Sequence, residues 1–161
     1  SFYSYSIISR SSINILVCIS SYFKNIITTT KIYTTMCSTS DSYNVITIIG
    51  DGSLSGGLAF EGFNNAAELD SNLIIIVNDN DQSIAENHGG LYRNLAELRA
   101  SNGTCERNVF RAMGLDYRYL DAGNDVLALV DALQELRDID HPIVLHVSTA
   151  KGKGFEPAQS D

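Results

Sequence analysis

"VITIIGDGSLSGG" (45–57) and "NLIIIVNDN" (72–80) decide the fold. Each opens as a short apolar run of strand length and closes on glycine or polar residues, the pattern of a strand buried on both faces of a parallel sheet. Between them, residues 58–69 carry apolar side chains at helical spacing. The same alternation continues outward. "LYRNLAELRA" (91–100) and "NVFRAMG" (108–114) read as helices, the second stopped by Gly114. "DYRYLDA" (116–122) reads as a strand, "DVLALVDALQELRD" (125–138) as an amphipathic helix, and "PIVLHVST" (142–149) as a final buried strand. Strands alternating with helices predict an α/β domain, a parallel sheet with helices on both faces.

In such sheets ligands bind beyond the carboxyl ends of the strands, which is where Asp51 and residues 78–80 fall. Gly50 and Gly52 permit a tight turn and let backbone N–H groups approach an anion closely. A helix beginning near Ser53 to Ser55 would point its N-terminus at the same spot. The Asp51 carboxylate and the Asn80 amide are hard oxygen donors suited to magnesium. Taken singly, each motif has a plainer reading, Asp51 as a helix cap and "NDND" as a polar turn. Their combination is more specific, because 29 residues and one helix separate Asp51 from Asn80.

Composition bounds the partners. The chain has 161 residues, about one domain, and a net charge of −8. An acidic surface argues against nucleic acid or an anionic membrane, since phosphate backbones attract basic patches. The apolar run at residues 13–19 is shorter than the roughly 20 residues a membrane span needs. Cys18, Cys37 and Cys105 form no CxxC pair, so neither a disulfide framework nor a zinc site is indicated, and a cytoplasmic location is expected.

A seam divides the sequence. Residues 1–44 contain no Gly, Ala, Pro or Glu, whereas all 12 glycines lie from Gly50 onward. One domain rarely varies so much along its length. The segment is rich in Ser, Thr, Tyr and Ile, which gives strand propensity with few turn signals. The expectation is an atypical leader over 1–44, non-native or poorly ordered, followed by a partial ligand-binding domain over 45–161.

"GDGSLSGGLAFEGFNNAAELDSNLIIIVNDNDQSIAENHGGL" (50–91) closely resembles the diphosphate-binding region of 1-deoxy-D-xylulose-5-phosphate synthases, which are transketolase-like enzymes, and "HVSTAKGKGFEPAQ" (146–159) resembles the end of the same domain. The resemblance implies a thiamine diphosphate-binding fold. By it, Asp51, the Asn80 side chain and the Gln82 main-chain carbonyl would ligate Mg2+, with diphosphate oxygens and water completing the octahedron. Gly50, Gly52 and Ser53 would shape the diphosphate site and offer it backbone donors, and Lys151 would add positive charge. The implied activity condenses pyruvate with glyceraldehyde 3-phosphate in a homodimeric full-length enzyme. The alternatives are the N-terminal half of a transketolase and a non-catalytic fragment that keeps the fold. The family's earlier histidine-bearing segment is not recognisable in this sequence. Nor is its later pyrimidine-binding domain, whose glutamate activates the aminopyrimidine, so no catalytic residue is assigned and turnover by this chain alone is not expected. The interval from "NDN" to "KGKG" is also short, as in a compact variant of the family.

The remaining polar residues have blander readings. His88 is expected to be structural or solvated in its loop rather than to face substrate, Lys153 to lie in a solvated loop, His141 on the surface, and His146 as a satisfied histidine inside a strand. Glu61 and Glu68 are expected in solvated-face or packing roles on the helix after the GDG turn, and Cys105 lacks the surroundings of a nucleophile.

Overall fold

The computed structural model describes residues 4–10, 13–19, 44–81 and 88–154. Its centre is a six-stranded sheet of β1 (Ser4–Arg10), β2 (Ile13–Ile19), β3 (Asn44–Gly50), β4 (Leu73–Asp79), β5 (Asp116–Leu120) and β6 (Ile143–Ser148), in the order β1-β2-β3-β4-β6-β5. The four strands read from "VITIIG", "LIIIVN", "DYRYL" and "IVLHVS" all form and are mutually parallel. The Ile-rich segment before them contributes two more strands. β2 runs parallel to β3, and β1 pairs antiparallel with β2 as an edge hairpin.

Among the described residues, five helices follow β3: α1 (Asp51–Leu54), α2 (Gly57–Ala66), α3 (Gly90–Ala100), α4 (Val109–Ala112) and α5 (Val126–Glu135). Right-handed crossovers dictate which face each helix covers. From β3 to β4, and from β4 across to β5, the chain moves in one direction along the sheet, so α1 to α4 lie on one face. From β5 back to β6 it reverses, and α5 lies on the other.

The period of two along each strand sorts the side chains accordingly. Val45, Ile49, Leu73, Ile75, Val77 and Val144 pack with Phe63, Leu95, Leu98 and Phe110 of the first helical layer. Ile46, Ile74, Leu145 and Val147 pack with Ala132 and Leu136 on the α5 side. Leu73, Ile75, Val77, Leu98 and Val144 are fully buried, each worth about 1.5–3 kcal/mol of transfer free energy.

Local capping agrees with the sequence. Asn108 caps α4 by accepting from the Phe110 and Arg111 amides, and Asp125 caps α5 by accepting from Leu127 and Ala128. Gly114, at φ +88°, ends the α4 segment as expected. The helix after the GDG turn differs from expectation. It begins at Asp51 itself, ends at Leu54, and restarts at Gly57 after a break at Ser55 and Gly56. Glycines at 56 and 57 weaken the helix between the two pieces.

Candidate functional site at the carboxyl edge of the sheet

β3 and β4 pair with Gly50 opposite Asn78, so the residues that follow each strand emerge side by side at one edge. Asp51 leads α1 and is only 4% exposed. Gly52 and Ser53 fall in the first turn of α1, where amides have no carbonyl four residues back to bond. A side chain at Gly50 would meet no atom within 4 Å, so this strand end borders open space.

The three oxygen-bearing side chains of "NDN" separate into different roles, because alternate residues of a strand face opposite ways. Asn78 points to the α5 side, where its carbonyl oxygen accepts from the Thr149 hydroxyl at 2.7 Å. Asp79 points to the opposite side and is fully buried. Its Oδ1 accepts from the Asp81 amide at 3.0 Å, closing a turn around Asn80. Its Oδ2 lies 2.5 Å from a guanidinium nitrogen of Arg99 and 2.8 Å from His146 Nε2. Asn80 follows, half-buried, beyond the end of β4.

Behind Asp79 runs a buried polar chain. His146 Nδ1 is 2.8 Å from the Tyr117 hydroxyl, and both side chains share the face of Asp79 by strand alternation. Burial alone would raise the Asp79 pKa, but hydrogen bonds from His146, Arg99 and the Asp81 amide outweigh it and hold the carboxyl below its ordinary value. An ionised carboxylate only accepts, so His146 Nε2 carries the proton and donates to it. The Tyr117 hydroxyl closes the chain at Nδ1. Burial pushes the Tyr117 hydroxyl pKa well up, keeping that donor protonated. Tyr119 packs edge-on against the His146 ring at 5.1 Å, and Phe110 stacks on Tyr117 at 5.8 Å.

Arg99 reaches this point from the last turn of α3, where a cation also suits the helix dipole. Its second terminal nitrogen meets the exposed Asp81 carboxylate at 2.6 Å. Asp81 holds φ +57°, a left-handed conformation that aspartate tolerates better than most residues. Arg99, Tyr117 and the inward turn of Asp79 were not singled out in the sequence. A histidine inside an apolar strand is the signal that points to them, since a buried imidazole requires partners.

Lys151 is exposed in the turn directly after β6, and Lys153 is exposed beside it. Gln82 lies outside the described residues, as do Cys37 and the Phe155 end of "KGKGF". His88 is exposed at the loop before α3, and Glu61 and Glu68 lie on exposed positions around α2. His141 sits at the surface between Asp140 and Asp116, and its hydrogen bond to Asp140 raises its pKa. Cys105 is a half-buried free thiol. Among the described residues no group of three or more His, Cys, Asp or Glu is arranged to hold a metal ion. A metal at this edge would therefore draw on a mixed oxygen set, the Asp51 carboxylate, the Asn80 amide, carbonyls and incoming phosphate, and magnesium accepts such a set. Among the described residues no helix is long and apolar enough to cross a membrane.

A sheet with a parallel core and helices on both faces defines an α/β domain of the kind the sequence resembles. A family model described as 1-deoxy-D-xylulose-5-phosphate synthase matches residues 24–106. The chain belongs to the 1-deoxy-D-xylulose-5-phosphate synthase family. The matched stretch begins within the segment that composition set apart.

Among curated relatives, the 1-deoxy-D-xylulose-5-phosphate synthase of Myxococcus xanthus is 41% identical over 118 residues, 73% of this chain and 19% of the relative. That of Porphyromonas gingivalis is 37% identical over 152 aligned positions, which cover 71% of this chain and 24% of the relative. The Bacteroides thetaiotaomicron protein is 35% identical over 156, covering 74% and 24%. This chain therefore spans about a fifth to a quarter of the length of the relatives it matches. The two longer alignments cover nearly the same share of this chain as the first, 71% and 74% against 73%, so they cross stretches that this chain lacks.

Proposed function

We propose that this chain is the diphosphate-binding part of a thiamine diphosphate- and magnesium-dependent transferase. The whole enzyme condenses pyruvate with glyceraldehyde 3-phosphate, releases carbon dioxide and forms 1-deoxyxylulose 5-phosphate, an isoprenoid precursor. One observation carries the reading. Parallel pairing of β3 with β4 brings Asp51 and Asn80, 29 residues apart, to neighbouring positions at the sheet's carboxyl edge. The family match favours the synthase over a transketolase half.

In this reading Asp51 and the Asn80 side chain hold magnesium with the Gln82 carbonyl, and the Gly52 and Ser53 amides face the diphosphate beyond Gly50. Lys151 adds positive charge at the rim. The bound cofactor supplies carbanion stabilisation, and the protein's share here is to hold and orient it. A pyrimidine-binding domain or subunit would form the other wall of the pocket, within a homodimer in the cytoplasm.

Calorimetric titration of thiamine diphosphate with magnesium tests the assignment. Asp51→Ala and Asn80→Ala are each expected to weaken magnesium-dependent binding at least about tenfold, since each removes an oxygen that so small an ion replaces reluctantly. Unchanged magnesium dependence in both variants would refute it. A chain that folds but never binds the cofactor is a non-catalytic remnant.

A further inference from the structure

We infer that Arg99 is a positioning residue that locks the Asp79–Asp81 turn and so presents Asn80 to the metal. The inference rests on the magnesium reading of Asn80 and deepens it.

The geometry is that of a two-armed clamp. One terminal nitrogen of Arg99 holds the buried Asp79 carboxylate at 2.5 Å, and the other holds the exposed Asp81 carboxylate at 2.6 Å. Between these two anchors lies a single residue, Asn80. A planar guanidinium fixes both carboxylates at a set spacing, which a point charge on a flexible stem does not do. The Asp81 amide is tied back to Asp79 Oδ1, so both the backbone and the side chain of Asp81 are referred to the same buried anion. Asp81 is thereby held in a left-handed conformation that the chain would leave at little cost if released.

Asp79 is itself buried and braced. His146, fully buried, braces Oδ2 at 2.8 Å, and Tyr117 braces His146 in turn. The Asp79 carbonyl accepts from the Thr149 amide at 2.9 Å, fastening the same residue to the end of β6. Arg99 stands on α3, whose Leu95 and Leu98 are buried in the core, so the clamp is mounted on a packed element. The acidic residues at 79 and 81 thus serve the turn through Arg99 and need not touch the ion.

The test compares Arg99→Lys with Arg99→Met. Lysine retains a charge for Asp79 and protects the fold, but one ammonium does not reproduce the fork. Two readouts are taken: exchange of the Asp81 amide hydrogen by NMR, and magnesium affinity in the presence of thiamine diphosphate. Asp81 exchange is expected to rise about tenfold or more in both variants. The Val77 and Val144 amides of the neighbouring strands should stay protected in Arg99→Lys. Magnesium affinity should fall about tenfold in Arg99→Met, on the scale seen when a group that orients a ligand is lost, and less in Arg99→Lys. Unchanged Asp81 exchange in both variants would overturn the inference. So would a rise shared equally by Val77 and Val144 in Arg99→Lys, because Arg99 would then only be stabilising the fold. Faster Asp81 exchange with wild-type magnesium affinity would overturn it as well. If the wild type binds no magnesium while Asp81 still loosens on substitution, the metal assignment of Asn80 fails and the clamp on the turn stands.

Discussion

Asp79→Ala is expected to destabilise the protein by about 3–5 kcal/mol, because it strands the Arg99 guanidinium and the fully buried His146 without their shared acceptor. Urea denaturation at neutral pH gives the measurement; a loss under about 1 kcal/mol would show that the two partners find other acceptors cheaply. The sign of the pH dependence follows from the depressed Asp79 pKa. A carboxyl with a lower pKa in the folded state than in the unfolded one contributes stability that is present above the unfolded value of about 3.9. That contribution is lost as pH falls through the folded value. Wild type should therefore lose stability on acidification below about pH 4 more steeply than Asp79→Ala, and the gap between them should narrow there.

Gly103→Ala is expected to cost about 2–5 kcal/mol and to lower Tm by about 5–15 °C in a chain of this size. Two effects combine. Gly103 holds φ +78°, a conformation that penalises any residue with a Cβ. A Cβ there would also stand 2.4 Å from the Tyr119 Cβ, an atom fixed to the backbone of β5 that cannot swing aside. Gly103 closes the end of α3 by donating its amide to the Leu98 carbonyl at 2.7 Å, so the substitution forces α3 and β5 apart next to Arg99. Gly114→Ala serves as the comparison. Its φ is similarly positive, but the nearest atom is 3.8 Å away, so only the conformational cost of about 1–2 kcal/mol applies. Thermal unfolding of the two variants separates crowding from backbone strain, and equal shifts would show that the approach of Gly103 to Tyr119 relaxes freely.

Much of this was legible beforehand because the signals are local. The runs 45–50, 73–78, 116–120 and 143–148 are dense in β-branched and aromatic residues and bounded by polar or glycine punctuation, so their strands could be read without knowing their neighbours. The placement of residues 51 and 80 beyond the ends of adjacent strands was legible for a related reason. One helix joining two parallel strands is enough to bring their ends together. The break in the helix after Leu54 was less legible, because residues 51–66 read equally well as one helix with a late start.

Arg99 was not legible at all. It looks like any basic residue in the last turn of an amphipathic helix, and only the packing of α3 over β4 sets it against Asp79, 20 residues earlier. Nor could the sequence say which oxygens of "NDN" were committed to the fold. The sequence by itself determined the strand and helix periods and the family, since each of these is written in neighbouring residues. The tertiary structure alone decided that Asn78 serves Thr149, that Asp79 serves Arg99 and His146, and that Asn80 lies between two clamped carboxylates. Those assignments depend on which face each residue takes in a sheet whose register is fixed by strands distant along the chain, and on which helix crosses above it.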